Sequence, residues 1–180
     1  MIPRRILKSL VFPILVVPIF VVPMLVLCAG YAAGQAPAPA ASFYLTPIGL
    51  AINLDTAKKA AAGALAEARK NGWLMAVAVV EPNGALVYYE KMDNTQLGSA
   101  EVAIDKARSA ALYKRPTKAF QDAVAAGGAG LRVLALRGAE PVEGGLPIVV
   151  DGKLIGAIGL SGDLSEHDGQ CAAAGAAGLK

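Results

Sequence analysis

The chain has 180 residues, enough for one domain with its own hydrophobic core. Its net charge is +3, and Arg4, Arg5 and Lys8 account for all of it, so the rest of the chain is neutral overall. A neutral body without a basic run lacks the electrostatic footprint of DNA- or RNA-binding proteins, and nucleic acids are therefore excluded as partners.

Residues 1–34 are typical of an export signal, because positive residues precede an apolar stretch from Leu10 to Leu27 and small residues follow it. No charged side chain occurs between Ser9 and Leu54. We expect cleavage of this segment and a periplasmic or secreted protein. The alternative is an uncleaved anchor in the inner membrane with the body on the periplasmic side, since 18 apolar residues can just span a bilayer. Contact with the membrane is expected only through this leader.

Residues 35–53 are predicted to form a Pro/Ala linker and a loop laid on the domain, and residues 54–180 the domain itself. The first helix is predicted from Asp55, as its N-cap, to Asn71, with Gly72 as C-cap. Its apolar stripe, at helical spacing, consists of Ala57, Ala60, Ala61, Ala64, Leu65 and Ala68.

Two hairpins and three further helices are predicted after this helix. Asn83-Gly84 and Asp151-Gly152 are two-residue hairpin turns. The predicted elements are strands Trp73–Val80 and Ala85–Met92, helices Ser99–Tyr113 and Lys118–Ala126, an undecided segment Leu131–Leu136, strands Leu146–Val150 and Lys153–Leu160, and a last helix from Ser165. The hairpins imply an α+β fold, with an antiparallel sheet of about 4–5 strands flanked by helices.

Two short segments and one helical lysine supply polar residues for ligand binding or catalysis. The glycines of Glu143-Gly144-Gly145 let backbone N–H groups approach a ligand, and Glu143 can act as an acid, a base or an anchor. Met92 and Asp93 end the first hairpin, where Met92 can line a pocket or ligate iron. Lys106, one position from the Ala stripe of the second helix, can hold a carboxylate. The alternatives are a tight turn for Glu143-Gly144-Gly145, core packing for Met92 and a solvated helix face for Lys106.

His167, the only histidine, is predicted in the first turn of the last helix, where it can ligate haem or carry a proton. The alternative is a solvated residue among acidic neighbours. Thr117, which follows Pro116, can cap the third helix. Cys171 can be a soft metal ligand or a small core residue. One histidine and one cysteine in the body cannot build a closed zinc site.

The body resembles the GlcG/HbpS family of haem-binding proteins from Asp55 onward. The resemblance rests on K-A-R-S-A-A-L-Y-K-R-P-T-K-A-F, on E-K-M-D-N-T-Q-L-G-S and above all on E-G-G-L-P-I-V-V-D-G-K-L-I-G-A-I-G-L-S-G. It implies a profilin-like α/β/α arrangement, assembly into homo-oligomers and haem as cofactor. It also implies Thr117 or His167 as a possible haem ligand, because a threonine and a histidine serve different members.

These observations predict an exported, oligomeric protein that carries or senses haem without catalytic turnover. The first alternative is a lyase or isomerase acting on a small aromatic or hydroxy acid, as some relatives do. Its pocket would combine Met92, Asp93 and Lys106 with Glu143-Gly144-Gly145, Glu143 serving as acid or base and Lys106 holding the carboxylate of the acidic ligand. The second alternative is an accessory subunit held at the membrane by its leader.

Overall fold

The computed structural model describes residues 43–179, so the predicted leader and residues 35–42 of the predicted linker lie outside the described residues. Helices occupy both faces of a four-stranded antiparallel sheet. The helices are α1 (Leu54–Asn71), α2 (Ser99–Tyr113), α3 (Lys118–Ala125) and α4 (Ser165–Ala177), and the strands are β1 (Ala76–Val80), β2 (Leu86–Lys91), β3 (Gly145–Val150) and β4 (Lys153–Ser161). The predicted α+β class and α/β/α layering are confirmed.

Helix α1 begins at a different cap from the predicted one. The Oδ1 of Asn53 accepts the Thr56 N–H at 2.9 Å, so Asn53 and not Asp55 is the N-cap. The helix ends as predicted at Gly72, whose φ of 75° lets its N–H reach the Ala68 and Arg69 carbonyls. All six residues of the predicted apolar stripe are buried.

The strand order is β2-β1-β4-β3, which puts β1 and β4 in the centre of the sheet. The β1–β2 turn contains Gly84 at φ 85°, and the β3–β4 turn contains Asp151 at φ 49° and Gly152 at φ 71°. Positive φ at both residues of the second turn is the geometry that suits a tight hairpin. The order also places the residues after β2 and those before β3 at opposite edges of the sheet.

The two faces of the sheet carry separate apolar cores. Val77 and Val79 pack with α1 and α4, whereas Ala76, Ala78 and Val80 pack with α2. Helix α2 lies very close to the sheet at Gly159, because a Cβ there would collide with the backbone of Ala103 and Ala107. Glycine at this position of β4 therefore makes room for the backbone of α2.

The segment before α1 is hydrogen-bonded to β4. Leu154 accepts the Gly49 N–H and donates to the Pro47 carbonyl, and Ile52 donates to Ile155, each at 2.8 Å. The undecided segment is part of a 3-10 helix, Gly128–Ala135, and a shorter one spans Phe43–Leu45. Among residues 43–179, no helix has both the length and the apolar character that a bilayer span needs.

Candidate functional site

Thr117 joins the loop before β3 to the start of α3. Its backbone N–H donates to the Gly145 carbonyl at 3.0 Å, and the Gly145 N–H donates to its Oγ1 at 2.9 Å. Thr117 is the N-cap residue of α3, as predicted, but its side chain makes no capping hydrogen bond to the helix and accepts the Gly145 N–H instead. Thr117 has no exposed surface, and this pairing fixes the loop.

Lys106 of α2 and Asp168 of α4 form a buried ion pair beneath this loop. Nζ lies 2.7 Å from Oδ2, and the two side chains are only 1% and 2% exposed. Burial raises the pKa of the Asp168 carboxyl above its ordinary value, and the hydrogen bond and charge of Lys106 offset part of that rise. The carboxylate that Lys106 holds is thus that of Asp168. The solvated helix face considered for Lys106 is wrong, because the pair links helices on opposite faces of the sheet.

Gly144 lies against this ion pair and leaves no room for a side chain. A Cβ there would be 2.7 Å from the Leu160 carbonyl oxygen, 2.8 Å from Asp168 Cβ and 2.9 Å from Lys106 Nζ. Its φ of 129° is also in the region that favours glycine. Glycine is therefore required for both its backbone angle and the space it leaves.

Glu143 and Gly144 both line a cleft of about 250 Å³. The Glu143 backbone N–H donates to Gln121 Oε1 at 2.7 Å, and Glu143 Oε2 lies 4.0 Å from Lys118 Nζ. Gly169 of α4 lies directly against the carboxylate. The structure therefore brings Lys106, Thr117 and the Glu143-Gly144-Gly145 loop together, but Lys106 does not line the cleft that Glu143 lines.

An apolar groove of about 350 Å³ adjoins this cleft and runs between β3 and α4. Its lining consists of Pro116, Leu146, Pro147, Val149, Ala173, Ala176 and Ala177. Three of these residues, Pro116, Leu146 and Ala173, also line the Glu143 cleft, so the two spaces are neighbours. The lining of the groove offers no side chain of a type that ligates haem iron.

Met92 and Asp93 lie apart from this group, in a cleft of about 510 Å³ that also includes Arg69 and Lys91. They follow β2, whereas the Glu143 loop precedes β3 at the opposite edge of the sheet. The single pocket predicted for all these residues is therefore wrong. The Met92 sulfur accepts the Met75 N–H at 3.5 Å, which holds the thioether against β1.

His167 is partly exposed and held on two sides. Its ring stacks on Trp73 with centroids 3.9 Å apart, and its Nδ1 lies 2.8 Å from Asp163 Oδ1. The backbone N–H of Leu164 and then His167 lower the pKa of the Asp163 carboxyl. His167 lines none of the clefts described here.

Cys171 has no exposed surface, and burial raises the pKa of its thiol to about 12. It is a core residue, as one of the two sequence alternatives held. Within residues 43–179, no three side chains of His, Cys, Asp and Glu cluster so as to hold a metal ion.

A cleft of about 420 Å³ lies between the segment before α1, helix α3 and the longer 3-10 helix. The Arg115 guanidinium lies 4.1 Å from the ring centroid of Tyr44 and 5.0 Å from that of Phe120. We call this space the aromatic cleft; its lining consists of Tyr44, Arg115, Ala119, Phe120, Ala123, Gly130, Arg132, Val133 and Leu136. The sequence did not predict this site, although Arg115 itself lies in the K-R-P-T-K-A-F run on which the family resemblance rests.

Comparison with known proteins identifies the family. Residues 52–177 match the family model described as "Haem degrading protein HbpS-like". The chain belongs to the HbpS-like family. Protein GlcG of Escherichia coli is 39% identical over 95 residues, which cover 53% of this chain and 69% of GlcG.

Solved structures agree with this assignment. A double mutant of HbpS from Streptomyces reticuli is similar with a TM-score of 0.67 and 31% identity, over 81% of this chain and 97% of that one. The PduOC:haem complex is similar with a TM-score of 0.66 and 26% identity, over 73% of this chain and 96% of that one. The predicted GlcG/HbpS resemblance is confirmed.

Proposed function

We propose that this protein binds haem. The observation that carries the proposal is the HbpS-like match, because residues 52–177 include all four helices and all four strands. The similar PduOC structure is a complex with haem. Because the match covers all the described helices and strands, we expect the haem site among residues 43–179.

The described residues fit a porphyrin, which is a flat apolar ring with two carboxylates. The groove between β3 and α4 has mainly apolar walls, whereas the aromatic cleft presents both polar and apolar surface. The aromatic cleft adds two cations, Arg115 and Arg132. When bound, haem supplies a redox-active iron centre.

The two predicted iron ligands, Thr117 and His167, differ in how accessible their side chains are to a ligand. Thr117 is fully buried and its hydroxyl accepts the Gly145 N–H, whereas His167 lies outside the described clefts. Among side chains that line a cleft, Tyr44 and Met92 are of types that ligate haem iron. Of these two, Tyr44 shares its cleft with aromatic and apolar walls.

A haemin titration of the full chain, followed by absorbance, tests the proposal. A saturable Soret shift near one haem per subunit or per subunit pair would support it. A featureless response that does not saturate would refute it. The variants Tyr44→Phe, His167→Ala and Thr117→Ala identify the ligand, because loss of an iron ligand changes the band position.

We propose carriage or sensing of haem as its role, without turnover. The support is that the Lys106 ammonium is paired with Asp168 and only 1% of the lysine side chain is exposed, which leaves little of it accessible to a substrate carboxylate. Glu143→Gln should leave haemin affinity unchanged, whereas in a lyase or isomerase it would abolish turnover. Because the family description names haem degradation, the bound Soret band must also be followed over time with a reductant and oxygen. Loss of the band that depends on this protein and does not occur with free haemin would refute this role.

Export and self-association are further parts of the proposal. The positive residues before the uncharged stretch support export, and N-terminal sequencing of the protein from periplasmic and membrane fractions tests it. An intact N-terminus in membranes would indicate an anchor. Large exposed side chains support self-association: Leu45 is 82%, Leu97 89% and Leu50 91% exposed. Light scattering measures the mass, and a monomer at all concentrations would exclude a stable oligomer.

A further inference from the structure

The aromatic cleft carries positive charge that the acidic residues around it do not neutralise. Arg115 and Arg132 both line it, and none of its described lining residues is acidic. Among residues 43–179, neither guanidinium forms an ion pair with a carboxylate. Unpaired guanidinium groups at an apolar surface attract anions, and their planar donors match carboxylates.

Arg115 is fixed before any ligand arrives. Its guanidinium lies near the ring centroids of Tyr44 and Phe120, and its Nε donates to the Tyr113 carbonyl at 3.2 Å. Stacking and this hydrogen bond restrict its rotamers, so less conformational entropy is lost when an anion binds. The Nη atoms make no hydrogen bond with the described residues, which leaves them as donors for a ligand.

Lys114 secures the wall that carries Tyr44. Its Nζ donates to the Tyr44 carbonyl at 3.2 Å and to the Thr46 carbonyl at 3.0 Å. The ammonium group therefore adds positive charge beside the cleft while it holds the segment before α1. The remaining lining is apolar, with Phe120 and Val133 buried behind it.

We infer that the aromatic cleft binds the two propionate carboxylates of haem through Arg115 and Arg132. The inference rests on the proposed function and names the part of the site that recognises the ligand's charge. The apolar walls contact the edge of the ring, and the two guanidinium groups neutralise the two carboxylates. Arg115 contributes more than Arg132, because it is partly buried and already oriented whereas Arg132 is exposed.

The test compares three charge-matched variants of the full chain: Arg115→Gln, Arg132→Gln and Arg137→Gln. Arg137 lies just beyond the longer 3-10 helix and does not line the cleft, so its variant controls for net charge. Each variant is titrated with haemin and with haemin dimethyl ester, which keeps the iron and the ring but has no free carboxylate. Circular dichroism confirms folding, and the exposed position of Arg132 keeps the test valid if Arg115→Gln is unstable.

We expect the haemin Kd to rise about tenfold in Arg115→Gln and about threefold in Arg132→Gln, and to stay unchanged in Arg137→Gln. The dimethyl ester should bind the wild type and all three variants alike. If the wild type binds no haemin, the proposed function itself fails. If the wild type binds haemin but both cleft variants bind it equally well, or Arg137→Gln weakens binding to the same extent, haem binds and this assignment is wrong.

Discussion

The buried ion pair between Lys106 and Asp168 makes a prediction about stability that can be tested closely. Each side chain is the charged partner of the other, and neither is more than 2% exposed. Substituting Lys106→Met leaves a buried carboxylate without its cation, and Asp168→Leu leaves a buried ammonium without its anion. Each single change is expected to lower the free energy of unfolding by about 3–5 kcal/mol, because an unpaired charge remains in the interior.

The double variant separates this mechanism from ordinary loss of packing. Lys106→Met combined with Asp168→Leu removes both charges and keeps similar volume, so it should cost less than either single change. A matched control is Lys118→Met, which breaks the exposed pair with Asp122, where Nζ and Oδ1 are 2.8 Å apart and the side chains 51% and 59% exposed. That change should cost less than about 1 kcal/mol, because water screens the pair.

Urea unfolding, followed by the fluorescence of Trp73 and by circular dichroism, measures these energies; Trp73 is the only tryptophan of the chain. The melting temperature of each single variant should fall by about 10 °C, from about 3 °C for each kcal/mol in a domain of this size. The reasoning would be refuted if each single variant lost less than about 1 kcal/mol, or if the two losses simply added in the double variant.

Three further predictions concern buried groups around the sheet. The free energy of unfolding should fall by about 2 kcal/mol from about pH 9 to about pH 11, because burial raises the pKa of the Cys171 thiol and the unfolded state loses that proton first. The Cys171→Ala variant should lose about 2 kcal/mol less than the wild type over this pH range. An equal loss in both proteins would contradict this explanation. Gly159→Ala should cost about 3 kcal/mol by pushing α2 off the sheet, whereas Gly98→Ala, with open space around it, should change the melting temperature little. Thr117→Val should cost about 1–3 kcal/mol by leaving the buried Gly145 N–H without its acceptor, and Thr117→Ser should restore most of it; equal losses would show that the hydroxyl is not the cause.

Much of the fold could be predicted because its signals are local. The Ala stripe of α1 recurs at helical spacing. Asn83-Gly84 and Asp151-Gly152 each indicate a hairpin turn through two adjacent residues. The N-cap was predicted two residues late, since Asp55 and Asn53 are both good caps and only the backbone angles decide between them. The 3-10 helix of residues 128–135 remained undecided because a short apolar run has no clear period.

The site was less predictable because its contacts join distant parts of the chain. Lys106 and Asp168 are 62 positions apart, and no pattern around either residue signals the other. Arg115 contacts Tyr44 from the segment before α1, which composition alone identified only as a loop. Met92 was grouped with Glu143 on chemistry, but the strand order puts them at opposite edges of the sheet.

Two glycines of the sheet, Gly159 and Gly145, allow helix α2 to pack closely against it. A glycine within a strand allows another backbone to approach closely, and at Gly159 that backbone is α2. Gly145 repeats the arrangement, because a Cβ there would collide with the Lys106 carbonyl. These two close contacts hold α2 near enough to the sheet for Lys106 to reach Asp168 on the far side. A side chain at either glycine would therefore lengthen the buried ion pair as well as loosen the core.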